Sequence, residues 1–229
     1  MEDGRGLTIR PIARIHSELG SKFGAPRQSG VVPELRAEVV FEEEFRREEA
    51  VRGLEGFSHI WLIWEFSENR RRDWSPTVRP PRLGGNTRLG VFATRSPVRP
   101  NPLGLSCVRL EAVEPGPILR VSGADLVDGT PIYDIKPYVP YTDAHPEARG
   151  GFASADWERR LEVDIPPHLA AALPAEKLPA LRGVLEQDPR PAYQASEGRV
   201  YGMSFAGYEV KFTVSGGVLR VLSAERGGK

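Results

Sequence analysis

Through the first half of the chain, apolar and polar residues alternate in short runs broken by Gly/Pro clusters. That is the period-two pattern of half-buried strands. It predicts strands over 7–15, 35–41, 58–66, 88–93, 105–112, 118–122 and 132–138. The run 58–66 is dense in aromatic and β-branched residues and suits a buried strand. One charged stretch, 42–51, predicts a helix that ends before Gly53. Strands this closely spaced, with so little helix between them, leave no room for parallel crossovers. The expected fold is mainly β: an antiparallel β-barrel N-terminal domain over 1–150. After Gly150-Gly151 the pattern changes. A strand is predicted over 157–165, then helices over 167–173 and 175–186, the second disturbed by Pro179. Strands over 200–205, 208–214 and 218–222 follow, with Ser215-Gly216-Gly217 as a hairpin turn. This half is expected to form a smaller α+β domain over 151–229.

Composition narrows the class. Hydrophobic residues make up 40% and charged residues 27%, as in ordinary globular chains. No apolar run approaches the roughly 18 residues of a membrane helix, and residues 1–10 lack the apolar core of a signal peptide. A cytoplasmic location with no membrane association is expected. Cys107 is the single cysteine, which excludes an intrachain disulfide and a cysteine metal cluster; it is expected to be a packed core thiol. His16, His59, His145 and His168 are isolated, so no metal site is expected, and His59 is read as a core residue. There is no GxGxxG between a strand and a helix, and no Walker A, HExxH or GxSxG sequence.

Formal net charge is zero, yet the charge is unevenly placed. Residues 74–110 contain no acid but hold Arg79, Arg82, Arg88, Arg95, Arg99 and Arg109. Acid is concentrated in 42–49. The pattern implies a local cationic surface and an anionic partner. The competing explanation is a set of solvated arginines in an arginine-rich chain, which accounts poorly for the missing acids.

Four polar loops stand out. They are Lys22-Phe23-Gly24-Ala25-Pro26-Arg27-Gln28; the segment 78–85, Val-Arg-Pro-Pro-Arg-Leu-Gly-Gly; the segment 90–104, with Thr94-Arg95-Ser96-Pro97-Val98-Arg99-Pro100-Asn101-Pro102 at its centre; and the segment 128–138, Asp-Gly-Thr-Pro-Ile-Tyr-Asp-Ile-Lys-Pro-Tyr. Interleaved Pro, Gly and Arg set backbone carbonyls and guanidinium groups at fixed angles. Through Pro26-Arg27-Gln28, the segments 78–85, 91–104 and 125–138, and Asp188-Pro189-Arg190-Pro191-Ala192-Tyr193, the chain resembles the TsaA/TrmO family, S-adenosylmethionine-dependent tRNA threonylcarbamoyladenosine methyltransferases. The resemblance covers nearly the whole chain, and the 91–104 motif is the most specific part. It implies a homodimer of β-barrel subunits without a Rossmann fold. It also implies a cofactor site made of Pro26, Arg27, Gln28, Arg95, Leu105, Asp128, Gly129, Thr130 and Pro131. Two further contacts fall at Ser67 and Glu68, where relatives often carry His-Gln.

The residue types suit that ligand. Arg95 or Arg27 can pair with the carboxylate of S-adenosylmethionine, Gln28 can read the adenine edge, and Asp128 can meet ribose hydroxyls or the ammonium. Methyl transfer chiefly requires alignment of nucleophile, methyl and sulfur. The acceptor nitrogen also needs a base. Period-two alternation puts Asp134, Lys136 and Tyr138 on one strand face as candidate catalytic groups. A structural Asp–Lys pair is an equally good reading. The tRNA anticodon loop would meet the acid-free arginines, with Arg190 and Tyr193 extending that surface by charge and stacking. A non-catalytic RNA-binding protein, an S-adenosylmethionine-sensing barrel, and a protein or small-molecule methyltransferase remain alternatives.

Overall fold

The computed structural model describes residues 6–69, 73–80, 83, 86–154, 160–190, 196 and 198–227. The first half contains β1 (Ala13–Ser17), β2 (Arg36–Phe41), helix α1 (Glu48–Val51), β3 (His59–Glu65), the short β4 (Thr77–Val78) and β5 (Leu89–Gly90), β6 (Leu103–Glu114), β7 (Ile118–Ser122) and β8 (Pro131–Pro137). A four-residue helix, α2 (Pro140–Asp143), follows. Six strands close into a barrel in the order β1-β2-β7-β6-β3-β8, with every pairing antiparallel. Alternation decides what fills it. Ile60, Leu62 and Trp64 of β3 point inward, while His59, Trp61, Ile63 and Glu65 face out. Ala13, Ile15, Val39, Val108, Leu119, Val121 and Ile132 complete the apolar interior.

The second half forms β9 (Glu162–Asp164), α3 (Pro167–Ala170), α4 (Leu178–Glu186), β10 (Tyr201–Phe205), β11 (Tyr208–Ser215) and β12 (Val218–Arg226). The sheet order is β10-β11-β12-β9, with β9 parallel to β12. Gly216 and Gly217, at φ 57° and 83°, make the two-residue turn that joins β11 to β12. The apolar face of α4 (Ala180, Leu181, Val184, Leu185) packs on this sheet in a second core. Leu19, Val32 and Leu35 of the 18–35 segment belong to that second core. Leu19 bridges Phe205, Ala206 N–H donates to Glu18 O at 2.7 Å, and the buried Glu18 carboxylate pairs with Lys177. The loop carrying Pro26-Arg27-Gln28 is therefore strapped to the second sheet.

Several expected elements differ. The strand expected over 7–15 starts at Ala13; Leu7 and Ile9 face solvent, and Pro11 has no N–H for a ladder. The helix expected over 42–51 breaks into a 3-10 turn, Glu43–Phe45, and α1. Only Val51 of α1 is buried, so no apolar stripe stabilises a longer helix, and the Arg46 guanidinium takes Phe41 O at 2.8 and 3.2 Å. The expected strand 88–93 is β5 followed by a 3-10 turn, Val91–Ala93, which Thr94 closes onto Val91 O. The expected 157–165 strand is the shorter β9, with 155–159 outside the described residues. The helix 167–173 is cut to α3. In the segment 175–186 a 3-10 turn, Ala175–Lys177, leads into α4, and Pro179 sits in the first turn of α4, where its missing N–H is not needed, so it does not disturb the helix. Among the described residues no helix is long and apolar enough to cross a membrane.

Candidate functional site

Strand register gathers the singled-out loops at one rim of the barrel. β3 ends where β6 and β8 begin, with Glu65 opposite Leu103 and Trp64 opposite Ile132. At the same rim β1 runs out at Ser17, and β2 starts at Arg36 opposite Ser122 of β7. The connections 18–35, 66–102 and 123–130 all leave from there.

Within these loops Pro26 is buried, Gln28 is half-buried and Arg27 is exposed. The exposed Arg95 donates through Nη1 to Gln28 Oε1, joining two loops that are 67 residues apart. The 128–131 turn is pinned to β1: Asp128 N–H donates to Leu19 O at 2.9 Å, Gly129 N–H to Ile15 O at 2.8 Å, and Ile15 N–H to Thr130 O at 3.1 Å. Thr130 and Pro131 are buried and support the turn. Asp128 is left exposed, its Oδ1 accepting Ser17 N–H at 3.0 Å and lying 3.4 Å from His16 Nδ1. Ser67 and Glu68 are exposed directly after β3. Phe66 N–H to Pro102 O at 2.9 Å and Asn69 Nδ2 to Pro97 O at 3.1 Å tie them to the loop that carries Arg95. Leu105 lies apart from this group: it points outward from β6 and is 56% exposed.

The other candidate residues line the outer wall. Leu105, Ile63 and Asp134 form one cross-strand row; Cys107, Trp61 and Lys136 form the next. Asp134 and Lys136 share a face and pair at 3.0 Å. Tyr138 lies farther along the wall. Strand rise puts it roughly 13 Å beyond Asp134. There its ring packs at 5.8 Å from Trp61 and 6.1 Å from His59. His59 is thus half-buried on the outer wall and not in the core, with Nδ1 2.9 Å from Ser58 Oγ. Cys107 is also on the outer side and half-buried, and burial pushes its thiol up.

Of the acid-free stretch, Arg79, Arg88, Arg95 and Arg99 make no ion pair among the described residues. Arg88 donates to Thr77 Oγ1 and Arg99 to Thr94 O. Arg109 pairs with Glu111 at 3.4 Å, an acid that Arg36 also approaches at 3.7 Å. Arg82 and Tyr193 lie outside the described residues. Arg190 does not extend a cationic surface: it is 12% exposed and forks onto Asp188 at 2.7 and 2.8 Å.

Two arrangements escape the sequence reading. Tyr133 occupies the β-bulge where β8 slips against β3, and its hydroxyl donates to Glu65 Oε2 at 2.5 Å. Burial, then the Glu65 contact, pushes that hydroxyl up to about 12. The second is Asp125, whose Oδ1 accepts the Ser106 hydroxyl at 2.6 Å; Ser106 in turn accepts Trp64 Nε1–H at 2.9 Å. The only signal in the sequence is that two inward residues, Trp64 and Ser106, carry polar atoms needing partners. Among the described residues no three His, Cys, Asp or Glu side chains gather as metal ligands would.

Comparison with known proteins follows the same outline. Residues 14–144 match the model of the tRNA-methyltransferase O N-terminal domain, and residues 158–227 match that of the TrmO C-terminal domain. The tRNA (adenine(37)-N6)-methyltransferase of Escherichia coli K12 is 40% identical over 225 residues, 93% of this chain and 96% of the relative. A protein of that name from Eikenella corrodens is 49% identical over 165 residues, 71% of this chain and 93% of the relative. A crystal structure of TrmO from Pseudomonas aeruginosa superposes with a TM-score of 0.78 at 35% identity, covering 96% of this chain and 98% of that one. Matched by both domain models in order, and by relatives along nearly its whole length, the chain belongs to the tRNA-methyltransferase O (TrmO) family.

Proposed function

We propose that this protein transfers a methyl group from S-adenosylmethionine to the 6-amino nitrogen of threonylcarbamoyladenosine next to the anticodon of tRNA. The observation that carries the reading is the rim itself. There Arg95, without an ion-pair partner among the described residues, meets Gln28, while Asp128 stands exposed on a turn fixed to β1. Relatives matched over most of their length are named tRNA (adenine(37)-N6)-methyltransferase, which supports the choice of acceptor.

The donor set fits the cofactor. An arginine with donors to spare suits a carboxylate, an amide suits an adenine edge, and an exposed carboxylate suits an ammonium or a ribose diol. When bound, S-adenosylmethionine supplies an activated methyl on a sulfonium. Arg27, Gln28, Arg95, Asp128 and the backbone of Gly129 hold it, Pro26, Thr130 and Pro131 fix the loops, Ser67 and Glu68 border the same end, and Leu105 is the candidate contact on the outer wall of β6. Asp134, on the row of Leu105, is the candidate base for the proton on the acceptor nitrogen. Lys136 beside it is the candidate partner for the threonyl carboxylate. Tyr138, at the far end of β8, supports the wall through Trp61. Arg79, Arg88 and Arg99 offer charge to RNA phosphates.

The working form is a cytoplasmic homodimer, a reading supported by exposed Leu103 and Leu105 on the outer wall of β6. The chain divides near residue 150 into a barrel that binds the cofactor and a small α+β unit. Labelled S-adenosylmethionine incubated with total tRNA lacking this methylation tests the function by nucleoside analysis. Label in N6-methylated threonylcarbamoyladenosine is the expected result. Tight cofactor binding with no label in RNA would leave the sensing reading in its place.

A further inference from the structure

Asp125 lies where three separate parts of the rim meet. Ser106, 1% exposed on the inner side of β6, donates its hydroxyl to Asp125 Oδ1 at 2.6 Å. Trp64 Nε1–H fixes that hydroxyl from across the barrel at 2.9 Å. The backbone of Ser29, one residue past Gln28, and the Arg95 guanidinium in the third loop both favour the charged form of this carboxyl. Gly30 N–H to Gly123 O at 2.8 Å keeps the two backbones side by side. Burial pushes the Asp125 carboxyl above the ordinary carboxylate range, against these contacts. Arg95 has no ion-pair partner among the described residues, so Asp125 attracts it without blocking its donors.

We propose that Asp125 is the positioning residue of the cofactor cleft: its bond to Ser106 pins the 123–125 backbone, which holds the Pro26-Arg27-Gln28 loop through Gly30 and, through Gln28, Arg95. The inference rests on the rim being the cofactor site. Asp125 acts through the residues that hold the cofactor and does not touch the reacting atoms. Its removal is felt through Arg95: the guanidinium loses a nearby negative charge, and the 123–125 backbone that holds Gly30 is less firmly anchored on Ser106. The cost therefore falls on S-adenosylmethionine affinity, not on the chemical step.

The test is calorimetry of S-adenosylmethionine binding to the full chain as wild type, Asp125→Asn, Arg95→Ala and the double variant. Asp125→Asn is expected to raise Kd about five- to thirtyfold, and the double variant to bind no more than about twofold more weakly than Arg95→Ala alone. Steady-state kinetics should show a raised KM for the cofactor with kcat within about twofold of wild type. Unchanged affinity in Asp125→Asn overturns the proposal, as do losses that multiply in the double variant, since a merely structural residue acts independently of Arg95. Ser106→Ala keeps the Asp125 charge while cutting its 2.6 Å anchor, and serves if Asp125→Asn does not fold. It should weaken binding less than Arg95→Ala does, and wild-type affinity in Ser106→Ala then counts against the proposal. Wild-type affinity in Arg95→Ala is a separate failure, that of the cofactor-site reading itself.

Discussion

Lys136 Nζ stands 3.0 Å from Asp134 Oδ2 on the outer wall of the barrel, beside the row that Asp134 shares with Ile63 and Leu105. The side chains are 63% and 46% exposed, so the pair contributes only about 0–1 kcal/mol and exchanges partners readily. A substrate carboxylate can draw the lysine away and free Asp134 to accept a proton. Lys136→Met is therefore expected to slow methylation of threonylcarbamoyl-tRNA while changing the much slower reaction of unmodified tRNA little. Wild type should favour the modified tRNA by roughly two orders of magnitude. Rates measured on both tRNAs decide it: equal losses on both would make the lysine structural.

Arg95→Ala removes the guanidinium that reaches Gln28 across the rim. S-adenosylmethionine binding should weaken by ~1.5–3 kcal/mol, the range for a hydrogen bond to a charged group. Calorimetry on a variant with wild-type circular dichroism reads the change directly.

Arg79 and Arg88 are exposed, and neither has an ion-pair partner among the described residues. Replacing both with alanine should weaken tRNA binding and lower its salt dependence, with the slope falling by about 0.7–0.9 per lost phosphate contact. Cofactor affinity should hold. A salt slope equal to wild type would return these arginines to the solvated class.

Gly104 faces the Trp64 ring so closely that an added Cβ would lie 2.3 Å from Trp64 Cε2. Gly104→Ala must displace a ring that is 8% exposed in the barrel core, at about 1–3 kcal/mol for overpacking. Because Trp64 also fixes Ser106, cofactor affinity should fall together with stability. Urea unfolding and calorimetry on the same preparation measure both.

The barrel was legible where alternation is strict. In β2, β3, β6 and β7 each inward residue is apolar or small, and an outward neighbour separates it from the next. It failed where alternation continues without a partner strand. Leu7 and Ile9 keep the pattern and stay in solvent, because pairing starts at Ile12 N–H to Ile132 O. The charged 42–51 segment has helix-forming residues but nothing to bury, so propensity alone does not sustain a helix. Arg95 was legible because residues 74–110 lack any acid. Asp125 was not, since its partner Ser106 is placed by the register of β3 on β6 and the loop beside it is held through Gly30 and Gly123, far apart in sequence. Tyr138 shares a face with Asp134, as period two requires, but face-sharing carries no information on distance along the strand.

Asp188 and Arg190 give the last prediction its sign. Burial alone would push the Asp188 carboxyl up; the Arg190 fork, with the charge of Arg27, holds it below the ordinary carboxylate range instead. A carboxyl whose folded value is depressed stabilises the fold above its unfolded value, and that contribution is lost as pH falls through the folded value. The wild type should therefore lose thermal stability as pH drops below about 4, the unfolded value for Asp. In Arg190→Met the fork is gone, so the folded value rises from its depressed position. The variant should then lose less stability than wild type on acidification, and the gap between the two should narrow as pH falls toward about 4. Asp188→Asn is the control, because asparagine tolerates the φ of 51° at this position and carries no titrating group. Melting temperatures of the three proteins across this range test the argument. A constant gap between wild type and Arg190→Met at every pH would show that Arg190 acts by packing and not by pairing with Asp188.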